Sequence, residues 1–118
     1  MPVLHHVSIE VLPADADAFG DLLEAIGFER VTAPEVLGDA VLWFGRKGTQ
    51  VHLIVTEGAI APMLGHAAFA VDDFDEAVAA VRALGLDFEE SRELWGERRG
   101  FVLAPSGHRM ELMAAPPP

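Results

Sequence analysis

The chain has 118 residues, enough for one domain with a real core and too few for two ordinary ones. Hydrophobic residues make up 51%, which excludes a disordered chain, and no apolar run approaches the ~20 residues of a membrane span. Eight basic against 19 acidic residues leave a net charge of -11, which argues against nucleic acid and anionic membranes as partners. Cysteine is absent, so disulfides, thiolate metal sites and a cysteine nucleophile are excluded. The start "MPVLHH" lacks the basic and apolar regions of a signal peptide, and the expectation is a cytoplasmic protein.

In chain order, "VLHHVSIEV" alternates and reads as a strand. A helix follows, with Asp15 as the expected cap and Phe19, Leu22, Leu23 and Ile26 as its apolar stripe, stopping at Gly27. A strand is expected near Val31–Val36. "VLWFGRKGTQVHLIV" reads as strand, turn at Lys47-Gly48, strand. "TEGAIAPML" is the natural link. The pattern then repeats. "GHAAFAV" is a strand, and Asp73 with Glu76 forms a capping box opening a helix that carries Ala77, Val78, Val81 and Leu84 and stops at Gly85. A strand is expected near Glu89–Leu94. "GFVLAPSGHRMELMA" gives strand, turn at Ser106-Gly107, strand, before a loose proline tail.

The chain is thus written twice. Repeat one spans about 3–57, a linker about 58–64 and repeat two about 65–115, all within a single domain 1–118. Each repeat reads as β-α-β-β-β. The expected fold is α+β: two such repeats forming a curved mixed sheet around a cleft, helices outside. Placing Gly48 on Gly107 sets His52 on Glu111 and Trp43 on Val102.

Strand parity then sorts the polar residues. Val7, Ile9 and Val11 belong under the helices, so His6 faces away from them while His5 is a packing or surface neighbour. The same rule leaves His52, His66 and Glu111 on the face away from the helices. His6 matches His66 in the repeat and His52 matches Glu111. Three imidazoles and one carboxylate at equivalent positions suit Zn, Ni, Co, Fe(II) or Mn(II) and leave room for a bidentate substrate. Among the other histidines, His108 falls in a turn. Arg109 shares parity with Glu111 and is a candidate to neutralise a substrate anion. Trp43, Phe44, Met113 and Trp95 are candidates to line the pocket, and Arg98 or Arg99 to reach it from a loop.

At "HHVSIEV", "GHAAFAVDDFDEAV" and "FVLAPSGHRMELM" the sequence resembles the vicinal oxygen chelate superfamily of glyoxalases, epimerases, extradiol dioxygenases, fosfomycin-resistance enzymes and bleomycin-resistance proteins. The likeness covers nearly the whole chain. It implies metal ligands at His6, His52, His66 and Glu111, a divalent ion as Lewis acid on a small oxygenated substrate, and Glu111 as the candidate base. It implies a homodimer, with or without exchanged modules. A glyoxalase- or epimerase-type lyase or isomerase is the first expectation. An Fe(II) extradiol dioxygenase and a non-enzymatic drug-binding protein of the bleomycin-resistance kind are the alternatives. The chain has no tyrosine, which the dioxygenases commonly place near the metal.

Overall fold

The computed structural model describes residues 2–118. Its strands and helices run β1 (His6–Val11), α1 (Ala16–Ala25), β2 (Glu29–Val31), β3 (Val41–Arg46), β4 (Thr49–Val55), β5 (Ala67–Ala70), α2 (Phe74–Ala83), β6 (Phe88–Ser91), β7 (Arg99–Leu103) and β8 (Arg109–Met113). Both halves are β-α-β-β-β, as the repeat predicts. Each half builds its own four-stranded mixed sheet, ordered β1-β4-β3-β2 in one and β5-β8-β7-β6 in the other. The parallel pairs β1–β4 and β5–β8 are matched by antiparallel hairpins β3–β4 and β7–β8. The long connection a parallel pair requires is what the helix and outer strands of each half supply.

Each helix covers one face of its sheet. Phe19, Leu22, Leu23 and Ile26 of the first half are buried with Ile9, Val11, Phe44, Val51 and Leu53 beneath them. In the second half Phe74, Ala77, Val78 and Val81 meet Phe88, Val102, Met110 and Leu112. Fully burying side chains of this size stabilises the fold by roughly 1.5–3 kcal/mol each. Ile9, Val11, Val51, Leu53, Met110 and Leu112 have the parity expected of the helix side. The opposite faces are therefore left to His6, His52, His66, Glu111 and their neighbours. Phe44, a candidate pocket residue in the sequence, lies in this core at 1% exposure, pressed against Gly20 of α1.

Two helix boundaries follow the sequence. Gly27 and Gly85 have φ of 110° and 81°, the left-handed turn past a helix end that favours glycine. The Asp73 carboxylate accepts from the Glu76 backbone N–H at 3.0 Å, closing α2's cap. Asp15 does not cap α1. Its Oδ2 instead accepts from the Ser106 hydroxyl at 2.8 Å, and Ser106 Oγ accepts from Leu12 N–H at 2.9 Å.

The third strands differ from expectation. β2 ends at Val31 and a 3-10 segment occupies Glu35–Ala40, because Pro34 lacks a ladder donor and Gly38 turns the chain at φ 60°. β6 starts and stops earlier than Glu89–Leu94, at Phe88 and Ser91. The alignment of Trp43 with Val102 also shifts. Trp43 pairs with His52, whereas Phe101 pairs with Glu111, so Trp43 is equivalent to Phe101. The cause is the second hairpin turn, where Ala104 N–H bonds His108 O at 2.8 Å around three residues, against two residues at Lys47-Gly48.

The two halves clasp one another reciprocally. The β3–β4 hairpin sends Arg46 to Asp72 ahead of α2. The β7–β8 turn sends Ser106 to Asp15 ahead of α1, and buries His108, whose Nε2 donates to Glu10 O at 2.6 Å. Helices α1 and α2 touch. Ser106→Ala removes two bonds of this clasp and leaves the Leu12 N–H short of a protein acceptor. Its expected cost is roughly 1–3 kcal/mol, read as a lower urea midpoint with an unchanged slope.

Candidate metal centre

The face away from the helices carries two equivalent clusters. In the first sheet His52 projects from the middle of β4, where it pairs with Trp43 on β3 and Ser8 on β1. Its ring stacks on Trp43 at 4.0 Å between centroids and 5° between planes, and on His6 at 4.1 Å and 21°. His52 is 7% exposed, and its Nε2 lies 2.7 Å from Gln50 Oε1. A carbonyl oxygen only accepts, so Nε2 carries the proton and Nδ1 the lone pair. His6 is exposed at the start of β1, with Nδ1 3.0 Å from His5 Nδ1. Stacked rings keep their in-plane lone pairs side by side. Joint ligation of one ion by His6 and His52 needs one ring to turn.

In the second sheet Glu111 occupies the position of His52, between Phe101 on β7 and Ala68 on β5. Glu111 is 8% exposed. Its Oε1 is 3.1 Å from His66 Nε2, and its Oε2 is 3.5 Å from Arg99 Nη1. His66 precedes β5 and its Nδ1 lies 2.9 Å from Leu64 O. That carbonyl accepts, so Nδ1 donates and Nε2 of the neutral ring is a lone-pair nitrogen. Nε2 and a carboxylate oxygen are then two acceptors in contact. Such a contact requires a proton or a metal cation between them. The tautomer fixed by Leu64 O is the one a metal-ligating imidazole needs, and a nitrogen with a carboxylate oxygen is a sound pair of donors for a divalent ion. The residues present therefore fit the group.

Four donors named from the sequence thus come together as two pairs, one on each sheet. Among the described residues of a single chain no three acidic or histidine side chains converge as a metal cage. A cavity of about 580 Å³ opens on the same face across the junction of the halves, lined by Ser8, Glu10, Ile54, Pro62, His66 and Arg109. Arg109 also lies over Phe101, its guanidinium carbon 4.1 Å from the ring centroid. Trp43 borders a different cavity, of about 370 Å³, with Arg30 and Asp39. Arg98 turns outward to Glu90 and Asp75, and Arg99 turns inward. Trp95 is tied by its indole N–H to Ala115 O at 3.0 Å.

Gln50, Phe101 and the Leu64 carbonyl were not among the sequence candidates. Gln50 shares the parity of His52 on the same strand, which was signal enough to find it, whereas Phe101 depends on the β7–β8 register. The Leu64 carbonyl left no such signal.

Burial lowers the His52 pKa first, and the neighbouring charges of His6 and then His5 lower it further. The ordinary imidazole value is about 6.5. With the folded value below it, the unfolded chain binds the proton first as pH falls. The His52 contribution to stability is therefore complete above about 6.5 and is lost as pH drops from there toward the folded value. In chelator-treated protein the urea midpoint should fall between about pH 7 and pH 5.5. It should fall less in His52→Gln, which has no proton to gain. An equal decline in both proteins would refute the assignment.

A glyoxalase family protein from Bacillus anthracis is similar over 96% of this chain and 94% of its own, with 24% identity and a TM-score of 0.82. The fosfomycin resistance protein FosX from Mesorhizobium loti matches over 98% of this chain and 94% of its own, with 23% identity and a TM-score of 0.76. The oxidase ChaP-H2 matches over 99% and 97%, with 24% identity and a TM-score of 0.77. At these identities the likeness is one of fold. No curated protein sequence matches. The family model described as Glyoxalase/Bleomycin resistance protein/Dioxygenase superfamily matches residues 24–112, and the chain belongs to that superfamily.

Proposed function

We propose that this protein is a divalent-metal-dependent enzyme of the glyoxalase and epimerase type, acting on a small oxygenated substrate as a homodimer. The observation that carries the reading is the His66–Glu111 pair. His66 Nε2 and Glu111 Oε1 lie 3.1 Å apart, with His66 Nδ1 turned to Leu64 O, so a proton or a metal cation belongs between them. His66, Glu111, His6 and His52 are the proposed ligands, with Ni, Zn, Co, Mn or Fe(II) as the ion. Their arrangement as two half-sets supports a site completed by a second copy, whose His6 and His52 would meet this chain's His66 and Glu111. Exposed Val3, Leu4, Ile60, Met63 and Leu64 flank these donors in sequence, apolar surface that a second copy would cover.

When bound, the ion supplies Lewis acidity to substrate oxygens and acidifies an adjacent C–H. Glu111 is the proposed acceptor of that proton, a role supported by its carboxylate oxygen 3.1 Å from His66 Nε2. Arg109 is the proposed counter-charge for a substrate anion, a role supported by its position on the wall of the larger cavity. A second reading has one observation in its favour. Two histidines and one carboxylate, His6, His66 and Glu111, are the donor types of an Fe(II) oxygenase centre.

Reconstitution with Ni, Zn, Mn and Fe(II) separates these readings. Hemithioacetal isomerisation or epimerisation is followed, with oxygen uptake on catechols and drug binding by fluorescence beside it. Proton-transfer turnover that chelator abolishes is the expected result. Turnover needing both Fe(II) and oxygen would replace it with a dioxygenase. Tight drug binding indifferent to chelator, with no turnover, would make the protein a drug-binding one.

A further inference from the structure

We infer that Arg99 is a positioning residue for Glu111: a buried guanidinium that holds one carboxylate oxygen so that the other stays turned toward His66. The inference rests on the proposed role of Glu111 as a ligand. Arg98 and Arg99 are adjacent and face opposite ways. Arg98 makes three hydrogen bonds, to both oxygens of Glu90 and to Asp75, all at the surface. Arg99 points to the other face, where its side chain is 12% exposed. Its Nε and Nη1 are buried without a hydrogen-bond partner, and the carboxylate facing it is Glu111, Oε2 to Nη1 at 3.5 Å.

The register explains the contact. Arg99 pairs with Met113 and Phe101 pairs with Glu111, so Arg99 is the diagonal neighbour of Glu111, within reach of a long side chain. Trp95 and Phe101 bracket the guanidinium, with ring centroids 5.9 and 5.6 Å from its central carbon. Nε and Nη1 are shut off from solvent, so the charge at those atoms depends on the carboxylate. The repeat supplies an internal comparison. In the first sheet Val41 pairs with Ile54 and Trp43 with His52, so Val41 takes the position of Arg99 beside a neutral histidine. Arginine stands where the donor is an anion and valine where it is not. A planar guanidinium fixes one face of a carboxylate more rigidly than an ammonium does. With Oε2 turned to Arg99, Oε1 is the oxygen presented to His66.

The test uses Arg99→Met, Arg99→Lys and the surface control Arg98→Met in the full chain. The measurements are Co(II) binding by calorimetry, its visible absorption spectrum, and crystal structures of the metal-free proteins. Arg99→Met should bind Co(II) roughly 10–100-fold more weakly, as expected for loss of an outer partner of a ligand, with an altered spectrum. Arg99→Lys should recover part of the affinity, and Arg98→Met should match wild type. In metal-free Arg99→Met, Glu111 should have left His66. Wild-type affinity and spectrum in Arg99→Met would overturn the inference. If wild type itself binds no Co(II), the metal reading fails, and the metal-free structures decide alone. There, retention of the 3.1 Å contact in Arg99→Met overturns the positioning role and its loss supports it. Arg99→Gln, neutral and close in shape, gives the same readouts if the methionine variant does not fold.

Discussion

Alanine at His66 or at Glu111 should abolish stoichiometric metal retention, weakening affinity by more than the roughly 100-fold that an outer partner is worth. Each change removes one of the two donors that lie 3.1 Å apart. Glu111→Ala also leaves Arg99 as a buried charge without its carboxylate, so it should destabilise the fold more than His66→Ala does. The pair of variants therefore separates two roles. Metal analysis after dialysis reads the ligand, and denaturant unfolding in chelator reads the ion pair. A Glu111→Gln variant keeps the shape and one oxygen acceptor. It should fold better than Glu111→Ala and still lose the negative charge. Full metal content in either alanine variant would remove these residues from the site.

Gly100→Ala should be the most damaging single methyl group in the second half. A Cβ there would stand 2.4 Å from the end of the Phe88 ring, 2.6 Å from the Glu89 carbonyl oxygen and 2.9 Å from the Glu90 Cα. The last two are backbone atoms of the paired strand β6 and cannot rotate away. Gly100 pairs with Glu90, so relief requires β6 to separate from β7. Overpacking usually costs about 1–3 kcal/mol, and a clash with backbone belongs at or beyond the upper end. The variant should show a thermal midpoint lower by several degrees, or fail to accumulate as folded protein. Because β7 also carries Arg99 and Phe101, the same variant should weaken Co(II) binding. Wild-type stability would mean that β6 does not approach β7 as closely as described. By contrast Gly48→Ala has open space around its Cβ, and its cost comes from the left-handed backbone alone.

Much of this arrangement is legible in the sequence because two periodicities are independent of distance along the chain. Alternation within "VSIEV" or "RMEL" states which residues share a face, and the repeat states which positions are equivalent. Together they put His6, His52, His66 and Glu111 on the face away from the helices, which is where they lie. Local chemistry also carried the Asp73 cap and the glycine stops. What was not legible depended on lengths and on distant partners. One extra residue in the Pro105–Gly107 turn moved the equivalence of Trp43 from Val102 to Phe101. Pro34 and Gly38 turned an expected strand into a 3-10 segment. Asp15 had the composition of a cap, but Ser106, 91 residues away, took its carboxylate. Nor does parity give separation. It shows that four donors share a side, and it does not show that they stand as two pairs on two sheets.

The proposed sharing of a site between two copies is tested most directly by mixing two variant chains. His6→Ala and Glu111→Ala, each alone, should retain no stoichiometric metal. If His6 of one copy meets Glu111 of the other, a mixed dimer has one site with both defects and one with neither. Denatured together and refolded, an equal mixture should then regain about a quarter of the wild-type metal content, since half the dimers are mixed and half of their sites are intact. If His6 and Glu111 serve the same ion within one chain, every chain carries a defect. No metal would return, and that result would contradict the account.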